Sequence, residues 1–167
     1  MVTSTTASEF RISRTFDAPR DKAWRAWSEP ERMKQWFTPK GITAKSVTMD
    51  FRPGGTYHYC MVAPDGREMW GKAVYREIDP PRRLVWVNSF SDEQGGVTRH
   101  PLAPTWPLEM LTTVTFTERN GGTEVTVQWV PLDPTEEERR TFDGGHESMR
   151  QGWTGTFDQL EAYLAKD

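Results

Sequence analysis

Apolar and polar residues alternate over residues 9–16, with Phe10, Ile12 and Phe16 on one parity; this is the period of a half-buried strand, and Arg14 interrupts it. Ala18-Pro19 ends that strand. Residues 21–27 space their apolar positions as a short helix, which Ser28-Glu29-Pro30 stops. Pro30 opens a second short helix over 31–36, which ends before Phe37-Thr38-Pro39-Lys40-Gly41. Strands and turns follow. Residues 43–51 run into Arg52-Pro53-Gly54-Gly55, where a fixed proline φ and glycines that accept positive φ make a tight reversal. Tyr57, Tyr59 and Met61 then alternate with His58, Cys60 and Val62 up to the turn Pro64-Asp65-Gly66. Residues 68–78 close at Asp79-Pro80-Pro81, residues 84–90 and 108–118 come next, and Asn120-Gly121-Gly122 joins the latter to 123–130 as a hairpin. Seven strands at hairpin spacing predict a mostly antiparallel sheet.

The last segment changes period. Asp133-Pro134-Thr135-Glu136-Glu137-Glu138 places acids where a helix N-terminus favours them. The helix that starts there is loosened at Gly144-Gly145 and resumes to the C-terminus. In the resumed part Met149, Trp153, Phe157, Leu160 and Leu164 share one face. One connection stands apart: residues 91–107 exceed the roughly 2–5 residues of a hairpin loop. Such a segment is either a lid or binding loop, with His100 and Trp106 as its candidate contacts, or a neutral insertion.

Composition bounds the outcome. The 167 residues suit a single domain over 9–167 behind a flexible leader at 1–8. Apolar residues are 35% and aromatic ones 12%, with eight tryptophans, so the interior is built from few, large side chains. No run approaches the ~20 apolar residues of a membrane span, and the start lacks a basic and hydrophobic signal, so a cytoplasmic protein with no membrane partner is expected. A net charge of -3 gives no global field for nucleic acid. The single cysteine, Cys60, lies in an apolar run and reads as an inert packed thiol. No histidine pair has zinc spacing, there is no nucleophile elbow, and Gly54-Gly55 lacks the helix and lysine of a phosphate loop. Neither a cofactor nor a metal is therefore expected.

Several motifs in series carry a resemblance. Phe16-Asp17-Ala18-Pro19, Ala23-Trp24-Arg25-Ala26-Trp27, Trp36-Phe37-Thr38-Pro39, Asp50-Phe51-Arg52-Pro53-Gly54-Gly55, Pro64-Asp65-Gly66, Glu77-Ile78-Asp79-Pro80-Pro81-Arg82-Arg83-Leu84 and Gly152-Trp153 resemble a branch of the START-like helix-grip (SRPBCC) superfamily. That branch is named for the activator of the heat-shock protein 90 ATPase. The resemblance implies an α+β helix-grip fold: a curved seven-stranded antiparallel sheet wrapped around a long C-terminal helix, with two short helices after the first strand and a hydrophobic cavity between sheet and helix. Related branches carry lipids, sterols or hormones, cyclise polyketides or resist an antibiotic. The eukaryotic namesake has an additional N-terminal domain for which this chain has no room, so a complete chaperone activator is not expected.

Strand parity then selects a lining for that cavity: Tyr57, Tyr59, Met61, Tyr75, Trp86, Asn88, Met110, Phe116 and Trp129 from the sheet, and Met149, Trp153 and Phe157 from the helix. Parity leaves open whether each fills a core or walls a pocket. Arg14 and Glu77 fall on the inward parity as polar anchors, or reach water near their strand ends. His58 faces solvent, and His146 with Glu147 is a candidate acid–base pair at the cavity mouth. The expected function is binding of a small hydrophobic or aromatic molecule by a monomer or homodimer. The alternatives are a chaperone-interacting, ATPase-activator-like module and a polyketide cyclase- or dehydratase-like enzyme without a metal.

Overall fold

Proline and capping residues set the element boundaries in the computed structural model, which describes residues 8–37, 41–100 and 103–166. Strand β1 (Phe10–Phe16) leads through Pro19, extended at the N-cap, into α1 (Arg20–Ser28). Helix α2 (Pro30–Met33) starts on Pro30, where the missing amide hydrogen costs nothing. It is shorter than the 31–36 expected, and Trp36 and Phe37 follow in a turn closed onto the Met33 carbonyl. The strands β2 (Thr43–Met49), β3 (Thr56–Val62), β4 (Glu68–Asp79) and β5 (Arg83–Ser91) come next, then β6 (Val97–Thr98), β7 (Met110–Arg119) and β8 (Gly122–Pro131). Helices α3 (Glu136–Gly144) and α4 (His146–Leu164) complete the chain. The expected leader lies outside the described residues apart from Ser8, which is buried.

All pairings are antiparallel and the sheet runs β1-β8-β7-β5-β4-β3-β2, with β6 hanging off β5. Seven strands form the path, as expected. The eighth, β6, folds back antiparallel on Phe90 and Ser91, so the first part of the segment 91–107 is a hairpin rather than a plain loop. The β7–β8 hairpin turns on Asn120 and Gly121, both at positive φ, which matches the right-handed twist of the strands it joins.

A bulge in β4 changes which residues face inward. Tyr75 pairs with Trp86 but Glu77 pairs with Val85, so Arg76 is the extra residue and the parity flips beyond it. Ile78 takes the inner position opposite Leu84, and Glu77 is turned outward.

Helix α4 carries Met149, Trp153, Phe157, Leu160 and Leu164 into the core along one face. Together with α1 it closes an aromatic centre. Trp27 and Trp36 are fully buried with ring centroids 4.7 Å apart, and the Trp36 indole donates to the Ala26 carbonyl at 3.0 Å. Trp24 packs on Phe116 at 5.3 Å, and Phe16 meets Phe157 edge-on at 5.5 Å. Helix α3 is fixed by a capping box: Thr135 accepts from the Glu138 amide, and the Glu138 carboxylate accepts from the Thr135 amide. Only Gly145 separates its end from α4, so the loosened joint expected at Gly144-Gly145 is a break between two helices.

Candidate functional site

Helix α4 packs against β1, α1 and α3. Its other flank stands off the sheet, and between that flank and the concave side of β3, β4, β5 and β7 lies a cavity of about 650 Å³. Met33 and Phe37 bound it beside α2, and Ala103, Trp106, Pro107 and Leu108 bound it on the loop side. The deep wall is aromatic, with Tyr57, Tyr75, Trp86 and Trp153 all buried. Large side chains rooted in a curved sheet line the gap without filling it.

Tyr59 shows how backbone choice shapes that wall. It pairs across the sheet with Gly71, and a Cβ on Gly71 would fall 2.3 Å from the Tyr59 hydroxyl oxygen. The phenol therefore lies over a strand position that has no side chain. Burial pushes the Tyr59 hydroxyl up to about 12 and raises Tyr57 and Tyr75 further. All three stay neutral near pH 7 and so keep a proton to donate. Among the described residues no partner meets these hydroxyls. Asn88 lies in the same wall, and its side-chain oxygen accepts from the Thr112 hydroxyl.

At the mouth, Arg99, Thr105 and Trp106 are held to α3. Arg99 donates to the Glu138 carboxylate at 2.6 Å, Thr141 bonds Thr105 at 2.9 Å, and Trp106 packs on Phe142. His100 packs on Phe90 with ring centroids 4.6 Å apart, and burial lowers its pKa, so its imidazole is neutral near pH 7. Burial works to raise the Glu138 carboxyl, but the Thr135 amide and the Arg99 guanidinium outweigh it and hold the group below its ordinary range. A depressed carboxyl stabilises the fold fully above its unfolded value, and that contribution is lost as pH falls through the folded one. Glu138→Gln keeps the cap geometry and removes the charge. It should lower stability at neutral pH, with the deficit against wild type shrinking below about pH 4.3, as urea titrations at both pH values would show.

Most of the residues selected by parity meet in this space. Tyr57, Tyr59, Met61, Tyr75, Trp86, Asn88, Met110, Trp129, Met149 and Trp153 line it, as do His100 and Trp106. Phe116 and Phe157 do not: they face inward but are spent on the packed end, against Trp24 and Phe16. The two charged anchors are corrected as well. Arg14 ties β1 to α4 through Asp158 and Glu161 at 2.9 and 3.0 Å, and Glu77, flipped by the bulge, is exposed beside Arg83. His58 stacks on Trp70. His146 sits between Phe10 and Phe142, and Glu147 is exposed; neither lines the cavity. Cys60 is fully buried, and burial pushes its thiol up, away from the thiolate.

Sequence reasoning missed Met33, Phe37, Ala73, Leu108, Ser148, Gly152 and Thr156, which also line the space. The last three had a signal, since they recur every four residues beside the buried face of α4. No carboxylate is among the described lining residues. Among the described residues no His, Cys, Asp and Glu group could hold a metal ion, and no helix is long and apolar enough to cross a membrane. The site can therefore enclose an apolar body and donate hydrogen bonds to it.

Solved structures share the whole fold. A protein of Mycobacterium smegmatis is 24% identical with a TM-score of 0.77, covering 96% of this chain and 93% of its own. A protein of Nitrosomonas europaea is 24% identical at 0.77, covering 98% and 97%. One from Rhizobium leguminosarum is 30% identical at 0.71, with 98% of each chain covered. No curated protein matches the chain. The model of the family described as "Activator of Hsp90 ATPase homolog 1-like protein" matches residues 17–165, and the order of strands and helices is that of the helix-grip fold. The chain belongs to that family.

Proposed function

We propose that the protein binds a small hydrophobic molecule in the cavity between α4 and the sheet. The observation that carries this reading is the space itself: about 650 Å³ walled by buried tryptophan and tyrosine, inside the ~300–1,000 Å³ range of ligand pockets. A packed core of this size has no comparable void, because interiors close to crystal-like density. The neutral donors in the wall support binding with orientation. With no carboxylate among the described lining residues, they give less support to acid–base chemistry.

Trp86, Trp129 and Trp153 line the space, so occupancy should change the intrinsic fluorescence. Thermal-shift and fluorescence titrations with neutral polycyclic compounds, sterols and fatty acids test the proposal. A ligand at a hundred times its Kd should stabilise the fold by about 2.7 kcal/mol. If the whole panel leaves both melting temperature and fluorescence unchanged, the reading is wrong.

A further inference from the structure

Five of the chain's seven methionines line the cavity: Met33, Met61, Met69, Met110 and Met149. They fall into two groups by access. Met33, Met110 and Met149 are 1%, 2% and 7% exposed, whereas Met61 and Met69 are half-buried. The half-buried two form a pair. They stand directly opposite each other in the β3–β4 ladder, a placement that brings facing Cβ atoms to within about 5 Å. On β3 the lining runs from Tyr57 through Tyr59 to Met61, and on β4 from Tyr75 through Ala73 to Met69. Tyr75 adjoins the packed end through Phe51 and Trp24, so the methionine pair occupies the opposite end of these strands.

The flanks of the pair are open. On β2, Met61 faces Ala44, which supplies only a methyl group. On the other side the β4–β5 ladder ends at Trp70 and Ser91, so no β5 residue pairs with Met69. The sheet itself does not call for methionine here. Facing strand positions favour β-branched and aromatic side chains, which would wall an apolar space equally well. What methionine adds is a polarizable thioether that a peroxide converts to a polar sulfoxide and a reductase restores. Cys60 is no substitute: it is fully buried, and burial pushes its thiol up, so it offers a peroxide no accessible thiolate.

Resting on the binding reading above, we propose that Met61 and Met69 are a peroxide-modification site that sets how readily the cavity loads. The oxidant is a hydroperoxide. A thioether sulfur attacks its terminal oxygen as the O–O bond breaks, and the proton of the transferred oxygen passes to the departing one. Sulfur loses two electrons and becomes a sulfoxide; the peroxide leaves reduced, as water or an alcohol. Each sulfoxide places a strong hydrogen-bond acceptor on the rim, and an apolar ligand covering it must strip it of water, so oxidation lowers affinity. The three buried methionines keep the deep wall apolar meanwhile. A dithiol reductase reverses the step: its thiols become a disulfide and the oxygen leaves as water.

Peptide mapping by mass spectrometry during treatment with hydrogen peroxide reads the modification directly. In the folded protein Met61 and Met69 should gain oxygen about fivefold or more faster than Met33, Met110 and Met149, and in urea all five should react alike. Binding of N-phenyl-1-naphthylamine, a neutral fluorophore, reads the consequence. Its Kd should rise about tenfold once both residues are sulfoxides, and the two epimer-specific methionine sulfoxide reductases should restore it. The double variant Met61→Leu with Met69→Leu conserves volume; it should bind the probe as wild type does and keep that affinity through peroxide treatment. Met49, half-buried but outside the cavity lining, is the control: Met49→Leu should stay as peroxide-sensitive as wild type. Equal oxidation rates for the five lining methionines in the folded protein overturn the site. Probe affinity that survives oxidation of both residues, or that falls equally in the double leucine variant, overturns its control of loading. A probe that binds no form of the protein counts against the cavity reading, whereas the oxidation rates still decide the modification site.

Discussion

Trp27→Ala should lower the free energy of unfolding by about 3–5 kcal/mol, visible as a large fall in the denaturant midpoint at unchanged slope. Trp27 is fully buried and touches the rings of Trp36, Phe37, Trp86, Phe116 and Trp153. It is not among the cavity-lining residues. Truncation therefore opens a void in closed packing, and rings held from five different directions cannot all relax into it. Trp153 is a useful comparison because it borders the existing cavity. Its truncation widens a space that is already there, so the loss should fall near the lower end, about 3 kcal/mol. The Trp27 indole nitrogen has no acceptor, so Trp27→Phe forfeits area but no hydrogen bond and should be much milder. A Trp27→Ala midpoint close to that of wild type would mean that this ring cluster is not the centre of the core.

Gly55→Ala should be still more damaging, at about 4 kcal/mol or beyond, with loss of the folded state a realistic outcome on purification. A Cβ at Gly55 would lie 2.0 Å from the Asp50 carbonyl oxygen and 3.0 Å from that of Arg52, both backbone atoms. The residue cannot back away. Its amide donates to Arg52 at 2.8 Å, and its carbonyl accepts from Tyr75 at 2.9 Å, so any shift breaks the β2–β3 turn and its seam with β4 together. Gly54, next to it, is required for a different reason. Its φ is +85° and the space around it is open, so alanine there meets only the left-handed penalty of about 1–2 kcal/mol. Circular dichroism melts of the two alanine variants should separate clearly. Equal melting temperatures would refute the distinction.

Features encoded locally were legible in the sequence. Alternation over the tyrosines of β3, the Asn120-Gly121 turn and the Thr135–Glu138 cap each depend on a few neighbouring residues, and the structure realises all three. Glu77 was misplaced because a bulge adds a residue without changing composition, and one extra residue reverses the parity beyond it. Phe116 and Phe157 show another limit. Parity gives the face a side chain occupies but not its depth along the sheet, and only packing against Trp24 and Phe16 puts these two at the filled end. Met33 and Phe37 were missed because their place at the cavity depends on where α2 docks, a long-range matter. Ser148 and Gly152 carry no such signal of size: they border the cavity with small groups, whereas apolar patterning picks out large side chains.

Gly71 has a bearing on how relatives of this protein diverge. The phenol of Tyr59 rests where Gly71 has no side chain, and the atoms a Cβ would strike belong to the movable end of that ring rather than to backbone. A single codon change at Gly71 would therefore push an aromatic ring elsewhere and leave the strand pairing in place. Cavity capacity and fold stability are then separable traits, so a lineage can reshape this cavity without first having to repair its scaffold.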